Sequence, residues 1–281
     1  MTPIDLTPLE SCFTSAIEED LGTGDVTSLA VVGGGAQAFA EYVAKESLRV
    51  CGLSVVEEVV RICDSAVEFQ SVSTDGADVE KGTVLASLRG SARSILAAER
   101  TSLNFLQRLS GIATGTREYV SAIGGARAQI LDTRKTVPGL RILDKYAVAC
   151  GGGVNHRVGL FDAVLIKNNH LIFQPSVTAA VQVAREWANS SMKIEVEVQN
   201  LAELQEAIEG VADMILLDNF TAEQTRDAVE IVAGRIPLES SGGITLSNIR
   251  GFAEAGVDFI SVGALTHSVV AADIHLRVKV G

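Results

Sequence analysis

From about Gln129 onward, short runs of β-type residues alternate with helical stretches in this 281-residue chain, and that rhythm restricts the fold more than any other feature. The runs are QILD, DAVLIK (162–167), KIEVEV, MILLD, PLES and DFISVG, with helices expected near 139–150, 175–188, 201–210, 221–234 and 245–255. Strand–helix–strand repetition implies parallel strands joined by right-handed crossovers. Each run also ends in residues able to do chemistry: Asp132 with Arg134 and Lys135, then Lys167, Glu197, Asp218, Ser241 with Gly242 and Gly243, and Gly263. The C-terminal strand ends of an α/β barrel open onto one mouth, so these scattered residues would converge there. Six strands are visible rather than eight. The expected fold class is therefore α/β, an incomplete parallel α/β barrel of the TIM type.

The first third reads differently. Thr7, Pro8 and Glu10 have the form of a capping box with proline at the first helical position, and Leu9, Cys12, Phe13, Ala16, Ile17 and Leu21 follow at helical spacing. Residues 36–50 look like strand, 53–63 like helix, and 66–89 like two short strands around the turn signal Asp75-Gly76. From Ala92 to about Leu109 no proline or glycine interrupts the pattern, so one long helix ending on Gly111 is expected. This predicts a smaller N-terminal α+β domain over 1–110 and a barrel domain over 111–267, with the tail 268–281 available to pack with the first.

The net charge of −12 disfavours nucleic acid or an anionic membrane surface as partner, because the carboxylate excess would be repelled. Any bound anion must meet a local basic cluster. The four cysteines, Cys12, Cys51, Cys63 and Cys150, form no CxxC pair and have no histidine at zinc-finger spacing, which reads as reduced core thiols and a cytoplasmic protein. No basic leader and no long apolar run is present.

The required basic cluster exists. Asp132-Thr133-Arg134-Lys135-Thr136-Val137-Pro138-Gly139 is followed by Asn155-His156-Arg157 and Lys167, and Arg100 adds another cation. Arginine's planar fork suits a carboxylate and lysine suits a phosphate, so a small polyanion is the implied ligand. In Glu195-Val196-Glu197-Val198 a period of two puts both glutamates on one strand face. Glu197 with Asp218 could bind magnesium or accept from ribose hydroxyls, while Glu195 could be a structural partner of Lys167 or Lys193. Ser240-Ser241-Gly242-Gly243 and Val262-Gly263-Ala264 each follow a strand and precede a helical stretch, as phosphate loops do. The glycines at 151–153 are accounted for by a turn after the preceding helix.

The runs AERTSLNFLQRLSGIAT (98–114) and DTRKTVPGLRILDKYAVACGGGVNHRVGLFDAVLIKNNH (132–170), then EVEV, ILLDN, ESSGGI and GVDFISVGALTHS, resemble the quinolinate phosphoribosyltransferases, also called carboxylating nicotinate-nucleotide pyrophosphorylases. The likeness runs in order from about residue 92 to the end, with a similar layout before it through GTGDVTS; Asn168 departs, standing where many members carry an acid. The resemblance implies a small open-faced sandwich plus an incomplete barrel. It implies quinolinate held by Arg100, Arg134, His156, Arg157 and Lys167. It implies phosphoribosyl pyrophosphate held by Lys135, Glu197, Asp218, Ser241, Gly242, Gly243, Gly263 and Ala264, with Mg2+ at Glu197 and Asp218 directly or through water. Lys135, Lys167, Glu197 and Asp218 become the catalytic set. A homodimer with shared sites, or a higher oligomer built on it, is implied as well. Three rivals stay open from the residues alone: a related transferase acting on another ring, a Schiff-base aldolase using Lys135 or Lys167, and a non-catalytic sensor of a pyridine acid.

Overall fold

The computed structural model describes residues 4–280. In chain order the elements are α1 (Glu10–Leu21), α2 (Val26–Val31), β1 (Gln37–Ala44), β2 (Leu48–Arg49), α3 (Leu53–Cys63), β3 (Glu68–Ser71), β4 (Asp78–Val79), β5 (Val84–Ser91) and α4 (Ala92–Ala122). Then follow β6 (Gln129–Leu131), α5 (Arg141–Cys150), β7 (Val164–Ile166), α6 (Asn168–Leu171), α7 (Val177–Trp187), β8 (Ile194–Val198), α8 (Leu201–Glu209), β9 (Met214–Asp218), α9 (Ala222–Val232), β10 (Leu238–Ser241), α10 (Ile249–Ala255), β11 (Phe259–Ser261), α11 (Ala264–His267) and β12 (Ile274–Val280). They form two compact units, 1–117 with 137–152 and 269–281, and 118–136 with 153–268.

The first unit centres on a four-stranded antiparallel sheet in the order β12-β1-β5-β3. Alternation along β1 buries Ala38, Ala40 and Tyr42, which join a core with Val56 and Val60 of α3 and Ile95, Leu103 and Leu106 of α4. The opposite face stays polar: Glu41 accepts from Arg277 at 2.8 Å and from Lys279 at 3.1 Å. One covered face and one wet face make the open-faced sandwich.

Two local expectations fail here for physical reasons. The capping box at Thr7 does not form. Residues Thr7–Leu9 are a 3-10 turn and α1 starts at Glu10, neither with a side-chain cap; the Asp5 carboxylate accepts from the Thr7 N–H at 3.0 Å in a local turn just ahead of them. Nor does α4 stop at Gly111; it runs on through Gly115 to Ala122. Gly111 is there for close packing, since a Cβ would collide with the backbone carbonyl of Val270. Gly151, at the end of α5, likewise packs where a Cβ would lie 2.7 Å from the Ala113 carbonyl. Neither backbone can give cheaply, so Gly111→Ala should cost about 2–3 kcal/mol and lower the melting temperature by several degrees; an unchanged melting temperature would refute the close-packing role.

The second unit is a six-stranded parallel sheet in the order β6-β11-β10-β9-β8-β7. Helices α7, α8, α9 and α10 make the successive crossovers, each strand lying beside the next from β7 to β11. β6 pairs with β11 and not with β7, so the barrel is open at one seam, where Val154 forms a single parallel bridge to Leu131. Aliphatic residues fill the outward faces: Val196, Ile215 and Leu217 are fully buried. The strands are short because their hydrophobic runs are short. Among the described residues no helix is long and apolar enough to cross a membrane.

Candidate active site

Parallel register decides which side chains share the interior. Glu197 lies beside Leu216, Leu216 beside Glu239, and Asp218 beside Ser241. With the period of two, Glu195, Glu197, Asp218, Glu239 and Ser241 therefore point to one face. At the C-terminal strand ends that face opens into a cavity of about 580 Å³. Arg134 and Lys135 line it after β6, His156 and Arg157 from the following segment, Lys167 after β7, Glu197 from β8, Asp218 from β9, and Ser241, Gly242 and Gly243 from β10. Gly263 and Ala264 do not line it. Gly263 sits instead where a Cβ would lie 2.9 Å from the Lys135 stem, and Thr266 Oγ1 donates to the Lys135 carbonyl at 2.8 Å, so the last loop braces Lys135. Arg100 belongs to the first unit, exposed on α4 and without an ion pair among the described residues.

The charges separate into two groups. In one, Arg134 and Arg157 are near enough that, after burial, the Arg134 charge is what lowers the pKa of Arg157. Arg157 Nη1 donates to the Ala163 carbonyl at 3.1 Å, whereas the buried Nε of Arg134 has no hydrogen-bond partner. Two guanidiniums held together with an unsatisfied donor are a site awaiting an anion. In the other group, burial first and the Glu197 charge second raise the pKa of Asp218, opposed by Lys167 and Lys135. Lys167 Nζ donates to Glu197 Oε2 at 2.5 Å.

Glu195 has a different partner from either lysine considered above. Its Oε2 lies 2.9 Å from His156 Nε2, and Glu239 Oε2 lies 3.4 Å from the same nitrogen. Lys167 is committed to Glu197, and the period-two alternation turns Glu195 inward toward the histidine. Glu239 is the residue that sequence reasoning missed. The signal was available, since in Pro237-Leu238-Glu239-Ser240-Ser241 the alternation that faces Ser241 inward also faces Glu239 inward. Asn219 was missed too. It lines the cavity with a left-handed backbone, φ 58°, and its N–H donates to the Ser241 carbonyl at 2.8 Å.

The glycine loop owes its amides to turn geometry and not to a helix end. Gly242 and Gly243 adopt φ 96° and 62°, and a Cβ on Gly242 would overlap the Asn219 side-chain amide. α10 begins only at Ile249, after a turn in which Asn248 Nδ2 donates to the Gly243 carbonyl at 2.9 Å. Consecutive N–H groups in left-handed turns still make an anion nest.

Residues 112–277 match the family described as the C-terminal domain of quinolinate phosphoribosyl transferase, and residues 25–110 match its N-terminal domain. The chain belongs to the quinolinate phosphoribosyltransferase family. Among relatives in that family, a probable carboxylating nicotinate-nucleotide pyrophosphorylase of Bacillus subtilis is 44% identical over 260 residues, 92% of this chain and 90% of that protein. The carboxylating nicotinate-nucleotide pyrophosphorylase of Mycobacterium leprae is 44% identical over 269 residues, 93% and 94% of the two chains. The solved structure titled NadC from Streptococcus pyogenes superposes with a TM-score of 0.96 at 38% identity, covering 100% of both chains. Within the quinolinate phosphoribosyltransferase family the two-unit architecture is thus reproduced over the whole chain.

Proposed function

We propose that this protein is a decarboxylating phosphoribosyltransferase that converts quinolinate and phosphoribosyl pyrophosphate into nicotinate mononucleotide, pyrophosphate and carbon dioxide, for de novo NAD synthesis. The observation that carries the reading is one cavity with two complementary halves, the paired guanidiniums with the orphaned Arg134 Nε on one side and the lysine–carboxylate group on the other. A planar dicarboxylate fits the first, and a phosphorylated ribose the second.

In this reading Arg134, Arg157 and Lys167 anchor the two ring carboxylates, and Arg100 of the partner subunit completes the set in a homodimer. Glu197 and Asp218 are neighbouring hard oxygen donors, the Glu197 charge adding to burial in raising the pKa of Asp218, and a cation shared by the two would offset both, so the residues fit magnesium. Held there, magnesium would supply positive charge to the pyrophosphate oxygens. Lys135 and the Ser241–Gly243 amides bind phosphate oxygens and take up the charge that develops as the pyrophosphate leaves. Anchored carboxylates aim the pyridine nitrogen at the ribosyl carbon, and positioning supplies much of the rate. Once that nitrogen is quaternised, the 2-carboxylate departs as carbon dioxide, its bonding electrons remain on the ring carbon, stabilised by the adjacent positive nitrogen, and that carbon then takes a proton from water to give the C–H of nicotinate mononucleotide. A Schiff base at Lys167 is disfavoured because its Nζ is already tied to Glu197 Oε2. Free thiols at all four cysteines support a reducing, cytoplasmic location.

Mass analysis after mixing the protein with magnesium, phosphoribosyl pyrophosphate and quinolinate should give nicotinate mononucleotide. Nicotinate in place of quinolinate should give little or none, because a single carboxylate leaves a cation of the occupied site unpaired, a loss worth at least about a hundredfold in kcat/KM. Comparable turnover of the two rings would contradict the assignment.

A further inference from the structure

Lys135 is exposed and stands past the end of β6 at Leu131, outside the strand ladder. A lysine carries a compact charge on a flexible four-carbon stem, so its aim depends on what holds its base. The fold brings α11 beside that base. β11 pairs with β6 up to Ser261 and Leu131, and the Val262 N–H extends the pairing to the Leu131 carbonyl at 3.0 Å, so the turn into α11 leaves next to the segment that carries Lys135.

Thr266 of α11 is 1% exposed, and its hydroxyl has two carbonyls within reach. A threonine inside a helix ordinarily donates to the carbonyl three or four residues back. Here that carbonyl, of Gly263, lies at 3.4 Å, while the Lys135 carbonyl lies at 2.8 Å, so the single hydroxyl proton goes to Lys135. The Lys135 N–H in turn donates to Thr133 Oγ1 at 3.0 Å. Both backbone groups of Lys135 are therefore held by threonine hydroxyls. Its stem is confined as well, lying against Gly263 where a Cβ would come within 2.9 Å of it. With base and stem fixed, only the outer bonds of the side chain are left to order when a phosphate arrives, and that lowers the cost of binding it. Thr266 does not line the cavity, so it reaches a ligand only through a neighbour.

We propose that Thr266 is a positioning residue for the phosphorylated substrate, acting through Lys135: its hydroxyl fixes the carbonyl from which the lysine side chain enters the cavity. The inference rests on the role proposed above for Lys135, while the hold of Thr266 on Lys135 is read from geometry alone.

The test is Thr266→Val, which keeps the shape and removes the hydroxyl. kcat/KM for phosphoribosyl pyrophosphate should fall about tenfold, the cost of leaving one carbonyl without its donor, while equilibrium binding of quinolinate alone stays nearly intact. Thr266→Ser keeps the hydroxyl and should retain the parent rate. A cycle with Lys135→Ala separates positioning from general damage. Measured as calorimetric affinity for phosphoribosyl pyrophosphate with magnesium, Thr266→Val should weaken the parent protein about tenfold and the Lys135→Ala protein hardly further, because the group it acts through is gone. An unchanged kcat/KM in Thr266→Val, a loss in Thr266→Ser as large as in Thr266→Val, or an equal loss of affinity in the Lys135→Ala background overturns the proposal. Backbone nitrogen-15 relaxation keeps it testable if Thr266→Val fails to fold: in the unliganded parent protein Lys135 should show an order parameter of about 0.85, and a value of about 0.6 or less overturns the proposal equally. If the parent protein makes no product from quinolinate and phosphoribosyl pyrophosphate, the function assigned above fails, and the relaxation result still judges whether Lys135 is held.

Discussion

Asp218→Asn should lower kcat/KM for phosphoribosyl pyrophosphate by on the order of a hundredfold or more, the usual effect of removing one preorganised electrostatic group, while leaving equilibrium binding of quinolinate nearly intact. Asp218 ends β9 beside Ser241, next to Glu197 and within the influence of Lys167 and Lys135. Asparagine keeps the shape but cannot hold a cation by charge. The substitution should not weaken the fold at neutral pH, and the sign follows from linkage. Burial and Glu197 raise the folded pKa of Asp218, so the folded state binds more protons than the unfolded one between the two pKa values. Stability contributed by this group therefore falls as pH rises through that window and stays lower above it; removing the charge removes the loss. A large drop in quinolinate affinity, measured calorimetrically without the second substrate, would place Asp218 in the wrong half of the site. A drop in melting temperature at neutral pH would contradict the electrostatic account.

Arg100→Ala and Lys135→Ala proteins should each be nearly inactive, yet a mixture of the two should recover activity after subunit exchange. Arg100 is exposed on α4 with no ion pair among the described residues, and it belongs to the first unit, whereas Lys135 lines the cavity of the second. If Arg100 serves the neighbouring subunit's site, a mixed two-fold dimer holds one site with both lesions and one with neither. Random re-assortment of equal amounts makes about half the dimers mixed, so roughly a quarter of all sites should be intact. The readout is steady-state rate per subunit, with exchange shown independently by mass-tagged chains. If exchange is complete and activity stays at the level of the separate variants, Arg100 acts within its own chain.

Much of the second unit was legible because its signals are local. The alternation of short apolar runs with helical stretches gives six parallel strands, and the strand-end residues Lys167, Glu197, Asp218 and Ser241 all line one cavity. The long helix was legible as a helix but not in its length. Gly111 carries an ordinary helix-ending signature, and its real role depends on the Val270 carbonyl, more than 150 positions away in the chain. The same holds for Gly242, whose freedom from a Cβ is demanded by Asn219 across the strand ends. At the N-terminus, the pattern from Thr7 to Glu10 suggested a capped helix, but the chain enters through a 3-10 turn and α1 starts at Glu10 with no side-chain cap.

By itself, then, the sequence determined which residue types stand at which strand ends, because periodicity and run length are properties of neighbouring residues. Only the tertiary structure decided their pairing. His156 goes to Glu195 and Glu239, Lys167 goes to Glu197, and Arg134 is left with an unpartnered nitrogen beside Arg157. Those choices depend on register between strands and on the compensation of buried charge. Both are set by groups distant in the chain, which local sequence pattern does not specify.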